Sequence, residues 1–418
     1  MIDYGTALEQ ILAQVRACPA EPCASLEADG RILAEAVCSG ENLPPFDNSA
    51  MDGFALRSEG RELACGREFR IHGVLMAGDE AATRIETRDC AWEIMTGARL
   101  PADADSVVPV EQVSILERDA KGLARRIRLE TGVEVGRHVR RAGEDVAAGE
   151  VVMPQGMQLA APQLAMLSAL GIGTVSVRRR PRVALICTGK ELLDDPAEPL
   201  REGQIRNSNA PLLAGRIRAA GADLVMQRTV TDEPVRFLAM LEEARTAGVD
   251  VFISTGAVSM GQKDFVPEAL QQAGARLHFH KVRIRPGKPL LFADFPEGML
   301  CFGLPGNPAS SAVGMRFFIE PALRAMLGLE PERPLRVPLE ARQKQLPGWR
   351  YFLKARLLLN VDGQVQARIL PGQESFRIRP LLEANAWVVM PGDAEARAAG
   401  AMVEAWLPGH LEGLHLER

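Results

Sequence analysis

What the chain lacks excludes several classes of protein. Its seven cysteines are an odd number with no C-x-x-C spacing, which removes a disulfide framework or a zinc ribbon and predicts reduced, mostly structural thiols. Histidine is sparse, and the one close pair, His278 and His280, falls on one face of a strand by alternation. With no third ligand nearby, that pair reads as strand surface or core. Long hydrophobic runs are also missing: the stretches 183–187 and 249–253 end at charge or glycine, far short of the roughly 20 residues of a membrane span. Met1 to Glu9 carries acids and lacks the basic start and apolar run of a secretory signal, so the expected compartment is the cytoplasm. A formal charge of −5 argues against broad nucleic-acid binding, although Arg137 to Arg141 and Arg178 to Arg182 are local basic patches suited to a small anion. No internal repeat or low-complexity tract interrupts the chain.

What is present is length enough for several cores. A chain of 418 residues predicts roughly two to four domains. From Arg178 to about Gly328, apolar runs alternate with amphipathic stretches, the pattern of a parallel sheet covered by helices in a three-layer α/β/α arrangement. Strands are expected at 183–187, 224–230, 249–254, 277–282, 290–293 and 299–302, and helices at 209–220, 234–247 and from Pro308 to Leu327, punctuated by Pro211, Gly221, Pro234 and Gly248. Upstream, Leu8, Ile11, Leu12 and Val15 mark an amphipathic helix. The segment 44–145 reads as a β-rich insertion that splits an N-terminal unit into 1–43 and 146–177, while 329–418 alternates again as a C-terminal β-barrel-like domain.

Open α/β sheets bind ligands outside the carboxyl ends of their strands. Five polar loops are expected at that edge: Thr188-Gly189-Lys190-Glu191, Thr231-Asp232, Thr255 to Ser259, Arg285-Pro286-Gly287-Lys288-Pro289, and Leu304-Pro305-Gly306-Asn307-Pro308. Together they predict a polar pocket. Thr96 and Thr188 supply hydroxyls, and the adjacent Gly97 and Gly189 let backbone N–H groups approach a phosphate. Asn307 precedes a helix whose first turn holds Ser310 and Ser311, an anion-ready terminus or simply a structural cap. In the insertion, Pro45 to Ala55 presents Asp47 and Asp52, which suit Mg²⁺ binding or general-base work; an Asx turn is the alternative on composition.

The run Pro45-Phe46-Asp47-Asn48-Ser49-Ala50-Met51-Asp52-Gly53-Phe54-Ala55 closely resembles the signature of the molybdopterin molybdenumtransferase family, MoeA and the E domain of gephyrin. Ile94 to Ala98, Arg141 to Asp145, Thr188 to Leu192, Ser259-Met260-Gly261, Arg285 to Pro289 and Leu304 to Pro308 match in order and approximate spacing, so the resemblance covers nearly the whole chain. It implies an enzyme that binds adenylated molybdopterin and molybdate, inserts the metal at the dithiolene sulfurs and releases AMP with Mg²⁺ assistance. It also implies a homodimer and contact with the preceding adenylyltransferase.

On that resemblance Asp52, Thr96, Asp145, Glu191, Asp232 and Asp264 carry the catalytic chemistry, with Asp52, Asp145 and Glu191 as expected Mg²⁺ ligands; Asp232 has a helix cap as its rival role. Thr188, Gly189, Ser259, Arg285, Lys288, Pro305, Gly306, Asn307, Pro308, Ser310 and Arg140 are expected on the substrate, joined by Arg350, Lys354 and Ser375 as a molybdate-access site. The sequence departs from the family pattern at Lys190, where many members have Asp, at Ala257, where many have Gly, at Asn207, where an acid is common, and at Arg285, which replaces a frequent Lys. A non-catalytic pterin-binding scaffold and a tungstate-selective paralogue are the alternatives.

Overall fold

A computed structural model describes residues 1–79, 84–85, 87–257, 265–393 and 395–413. Its centre is a six-stranded sheet in the order Asp223–Val230, Arg182–Thr188, Val251–Thr255, Leu300–Leu304, Leu291–Asp294, Arg276–His280. The first four strands are parallel. Leu291–Asp294 runs antiparallel to both neighbours, so Arg276–His280 points the same way as the first four; residues 295–299 join Leu291–Asp294 to Leu300–Leu304 by a tight turn, and a parallel neighbour would need a crossover of a dozen residues or more. Arg182–Thr188 is buried at Val183 and every residue after it, as a strand covered on both faces must be. One face packs under the helices Asn209–Ala219 and Pro308–Met326 and the other under Pro234–Thr246 and Val266–Gln272. The helix Val266–Gln272 was not anticipated.

The long helix from Pro308 contains a π-turn at Met315–Ile319, within a run buried without interruption from Ala309 to Glu320. Phe317 and Phe318 reach the C-terminal sheet and the first helix Tyr4–Leu12. Phe317 lies 4.3 Å from Phe352 and 6.0 Å from Trp387, and Phe318 lies 5.3 Å from Tyr4, ring centre to ring centre. One continuous core therefore joins the N-terminal helix, the α/β sheet and the C-terminal sheet.

The C-terminal sheet runs Ile284–Arg285, Arg350–Leu359, Ala386–Met390, Met402–Trp406, Leu335–Pro338, with Val365–Ile369 also paired to Arg350–Leu359. A bridge between Leu339 and Ala367 curls it on itself. Its first strand comes from within the α/β segment: Ile284 and Arg285 pair in parallel with Arg350 and Tyr351. The cationic loop that follows is thus pinned between two sheets.

A third six-stranded sheet spans Gly53–Leu56 to Ala124–Leu129 and has its own core around Phe54, Phe69 and Ile127. Residues 1–43 and 146–177 meet in short ladders, Ala20–Ala24 with Thr174–Arg178 and Val37–Cys38 with Val151–Met153, over a small core of Leu33, Leu159, Leu167 and Val177. Among the described residues no helix is long and apolar enough to cross a membrane.

Candidate functional site

The site residues fall into two groups on different sheets. The first gathers three motif loops of the 44–145 segment. Asp52 Oδ1 accepts hydrogen bonds from the Thr96 backbone N–H at 2.6 Å and hydroxyl at 2.7 Å. These bonds hold the exposed Asp52 carboxyl below its ordinary pKa. Gly53 must follow it, since a Cβ there would lie 2.0 Å from the Val108 carbonyl oxygen. Asp47 accepts from Arg141 Nη1 at 2.6 Å and from the Ala142 N–H at 2.8 Å. Partial burial pushes its pKa up, but these donors outweigh burial and leave it lowered. Asn48–Ser49 pairs with Val139–Arg140, and Gly97 N–H donates to the Ser49 carbonyl at 2.8 Å. Asp52, Thr96, Arg140 and Asp145 are therefore on one unit, with Arg140 and Asp145 exposed on it. Asp47 is spent on the turn.

The second group lies where the α/β sheet meets the C-terminal sheet. A cleft of about 1550 Å³ is lined by Arg285, Lys288, Pro305, Asn307, Ser310 and Ser375, with Trp349 and Tyr351 as its aromatic wall. The exposed Arg285 and Lys288 cations sit over those rings, 5.9 Å from the centre of Tyr351 and 5.8 Å from that of Trp349. Such stacking positions the charge without neutralising it. Asn307 Nδ2 donates to Ser375 Oγ at 3.1 Å, and the Ala309 N–H to the Ser375 carbonyl at 2.9 Å. Pro308 opens the helix, where its missing N–H costs nothing.

Next along the sheet edge, Thr188 is buried and its hydroxyl donates to the Thr255 carbonyl at 3.0 Å. The Glu191 carboxylate lies beside Gly189, where a Cβ would come within 2.8 Å of it. Gly256 has φ +87° and no room for a side chain, its would-be Cβ lying 2.5 Å from the Thr188 carbonyl. Ala257 follows at φ +51°, a left-handed conformation that costs a non-glycine residue roughly 1–2 kcal/mol. Asp232 is half-buried and is not the helix cap, a position taken by Glu233 without a side-chain bond. Ser259 and Asp264 lie outside the described residues.

Not every expected residue joins a group. Arg350 stacks on Tyr4 at 4.8 Å and is not among the cleft-lining residues. Lys354 is buried, 1% exposed, with its ammonium on main-chain carbonyls. His278 bonds Asp294 at 2.7 Å and stacks on Phe292, a structural role. Glu191 shares no contact with Asp52 or Asp145, and no group of three His, Cys, Asp or Glu side chains able to hold a metal occurs among the described residues.

Sequence reasoning missed Asn209, whose Nδ2 donates to the Gly306 carbonyl at 2.7 Å, and the triangle in which Asn207 and Thr229 both donate to Asp194 Oδ1 at 2.9 Å. It also missed Trp349 and Tyr351. The Asn207-Ser208-Asn209 run ahead of a helix was the available signal, but it reads equally as capping.

Residues 2–171 match the model of the MoeA N-terminal region (domain I and II), 184–325 that of a probable molybdopterin binding domain, and 336–407 that of the MoeA C-terminal region (domain IV). A molybdopterin molybdenumtransferase of Synechococcus elongatus is 37% identical, covering 97% of this chain and 99% of that protein. Molybdopterin molybdenumtransferase 2 of Mycobacterium tuberculosis is 34% identical, covering 95% and 98%. A crystal structure of a molybdopterin biosynthesis MoeA protein from Pyrococcus horikoshii superposes with a TM-score of 0.81 at 27% identity, covering 98% of this chain and 99% of that one. With this identity sustained along nearly the whole chain and all three regions matched in order, the chain belongs to the molybdopterin molybdenumtransferase family.

Proposed function

We propose that the protein inserts molybdate into adenylated molybdopterin and releases AMP, completing the molybdenum cofactor. The observation that carries this reading is the cleft between the α/β and C-terminal sheets. Its rim holds the exposed cations Arg285 and Lys288 on an aromatic wall, with the exposed Arg342 and Lys344 also lining it and the Asn307–Ser375 pair alongside. Fixed cations and donors of this kind suit two anionic reactants and need no rearrangement when charge develops. Arg285 offers a planar fork to phosphate or oxyanion, and Lys288 a point charge. Thr188, Gly189 and the Gly306-Asn307 turn lie on the same edge, where phosphate oxygens would meet backbone N–H groups.

Asp52 and Thr96 flank strands of a different sheet and bond each other, and Asp145 lies on the loop that bonds Leu43, away from the cleft-lining residues. A homodimer in which one subunit's carboxylate cluster faces its partner's cleft would bring the two groups together. Mg²⁺ would enter with the substrate phosphates and take one or two carboxylates, among Asp52, Asp145 and Glu191, rather than an all-protein cage. The protein would work in the cytoplasm, receiving its pterin from the adenylyltransferase, with the four units 1–43 plus 146–177, 44–145, 178–328 and 329–418 as its domains.

The test is to incubate purified protein with adenylated molybdopterin, Mg²⁺ and either molybdate or tungstate, following AMP and metal-bound pterin together. Oxyanion-dependent AMP release with metal retained on the pterin is the expected result. Tight pterin binding without AMP release would replace this reading with a scaffold role.

A further inference from the structure

We propose that Lys354 is a positioning residue: its buried ammonium is the strut that holds the loop Leu370 to Ser375 as one wall of the cleft, and so sets Ser375 against Asn307. Lys354 lies in the strand Arg350–Leu359, opposite Trp387, and is 1% exposed. Lysines are almost never fully buried unless their charge is compensated. Here the compensation comes from main-chain carbonyls: Nζ donates to Gly372 O at 2.9 Å and to Glu374 O at 3.4 Å. Among the described residues no ion pair joins it to a carboxylate.

The same residue holds the loop through its backbone. Lys354 N–H donates to Gln373 Oε1 at 3.0 Å, and its carbonyl accepts from Gln373 Nε2 at 2.9 Å and from the Leu370 N–H at 3.0 Å. Gln373 Nε2 also donates to the Leu370 carbonyl at 2.7 Å. Five bonds thus fasten residues 370, 372, 373 and 374 to one strand position. Ser375 is the next residue, and it makes the two contacts that reach the helix at Pro308. Residues 370–375 all line the cleft.

A methionine would fill the same volume without the desolvation cost of a charge. What it could not do is satisfy the Gly372 and Glu374 carbonyls, which turn inward beneath the loop. Burial lowers the Lys354 pKa, with Glu374 opposing and Arg377 adding to that shift. The ammonium therefore spends its charge on shaping the wall, and the exposed cations Arg285, Lys288, Arg342 and Lys344 are left to face the ligand.

This inference rests on the transferase reading for its kinetic consequence but not for its structural one. K354M and Q373L would be compared with wild type by hydrogen–deuterium exchange of residues 370–375 and by AMP release at varied molybdate concentration. Exchange in the loop is expected to quicken by on the order of tenfold in K354M while Ala386–Met390 stays protected, since hydrogen bonds to a charged group are among the stronger ones lost. The KM for molybdate should rise about tenfold with kcat within about twofold, because a displaced Ser375 weakens binding rather than chemistry. Q373L should shift both readouts in the same direction and decides the matter alone if K354M does not fold. Unchanged loop exchange in the folded variants would overturn the proposal, as would a fall in kcat at constant KM. If wild type releases no AMP with either oxyanion, the transferase reading fails, and loop exchange alone decides whether Lys354 is the strut.

Discussion

Asp52 and Lys288 carry opposite charges, and they are also held in opposite ways. The Asp52 loop sits exposed on a sheet with its own small core, its carboxylate fixed by one neighbouring residue, Thr96. Lys288 projects from the loop after Ile284–Arg285, which joins the C-terminal sheet, and that sheet shares the largest core with the α/β sheet. The long helix that begins at Pro308 also carries a buried charge network, in which Glu320 accepts from Arg216 at 2.6 Å and lies 3.7 Å from Arg316, which also holds Glu332. The contrast teaches that chemistry on the carboxylate side is nearly independent of folding, whereas the cleft's shape is inseparable from it.

Changes on the two sides should therefore separate stability from activity. The largest effect is expected from E320L, which leaves Arg216 and Arg316 only Glu412 and Glu332 as carboxylate partners and should cost about 3 kcal/mol in denaturant unfolding. A loss under about 1 kcal/mol would mean the shared core does not depend on this network. On the carboxylate side, D52N should cut AMP release about a hundredfold while leaving the thermal midpoint unmoved. Full activity in D52N would remove the cluster from the chemistry and favour a scaffold. Intermediate effects belong to the cleft rim: R285A and K288A should each raise the molybdate KM about tenfold, with a weaker dependence on salt than wild type.

A smaller gain is expected from A257G. Relieving the left-handed alanine should stabilise the protein by about 0.5–1 kcal/mol, measured as a higher denaturant midpoint. The smallest effect is a pH dependence at Asp47. Its pKa is lowered in the folded protein, so its contribution is present above the unfolded value of 3.8 and is lost as pH falls through the folded one. D47N should flatten that acid limb only slightly, because Asp47 and Arg141 keep 37% and 50% of their side-chain surface exposed. An acid limb identical in D47N would assign it to other carboxylates.

How far the residues revealed this arrangement depended on the range of the interactions. The strand Arg182–Thr188 and the helices Asn209–Ala219 and Pro234–Thr246 were legible because burial, proline and glycine punctuate them locally. The helix Val266–Gln272 was passed over although Val266, Ala269 and Leu270 have helical spacing, because seven residues supply too little pattern. The acids of the 47–55 run were both candidates by composition, and only their partners distinguish them: Arg141 occupies Asp47, while Thr96 merely orients Asp52.

The sequence by itself determined the family, the local elements and the chemistry on offer, since motif order, turn residues and hydrophobic period are properties of neighbours along the chain. Tertiary structure alone decided that Ile284–Arg285 leaves its own segment to join another sheet, that Arg350 turns to Tyr4, and that Lys354 faces inward beneath a loop. A two-residue strand or a single lysine carries no periodic signal of its destination. Its place is set by partners distant in sequence, where burial and hydrogen-bond satisfaction are settled for the whole molecule at once.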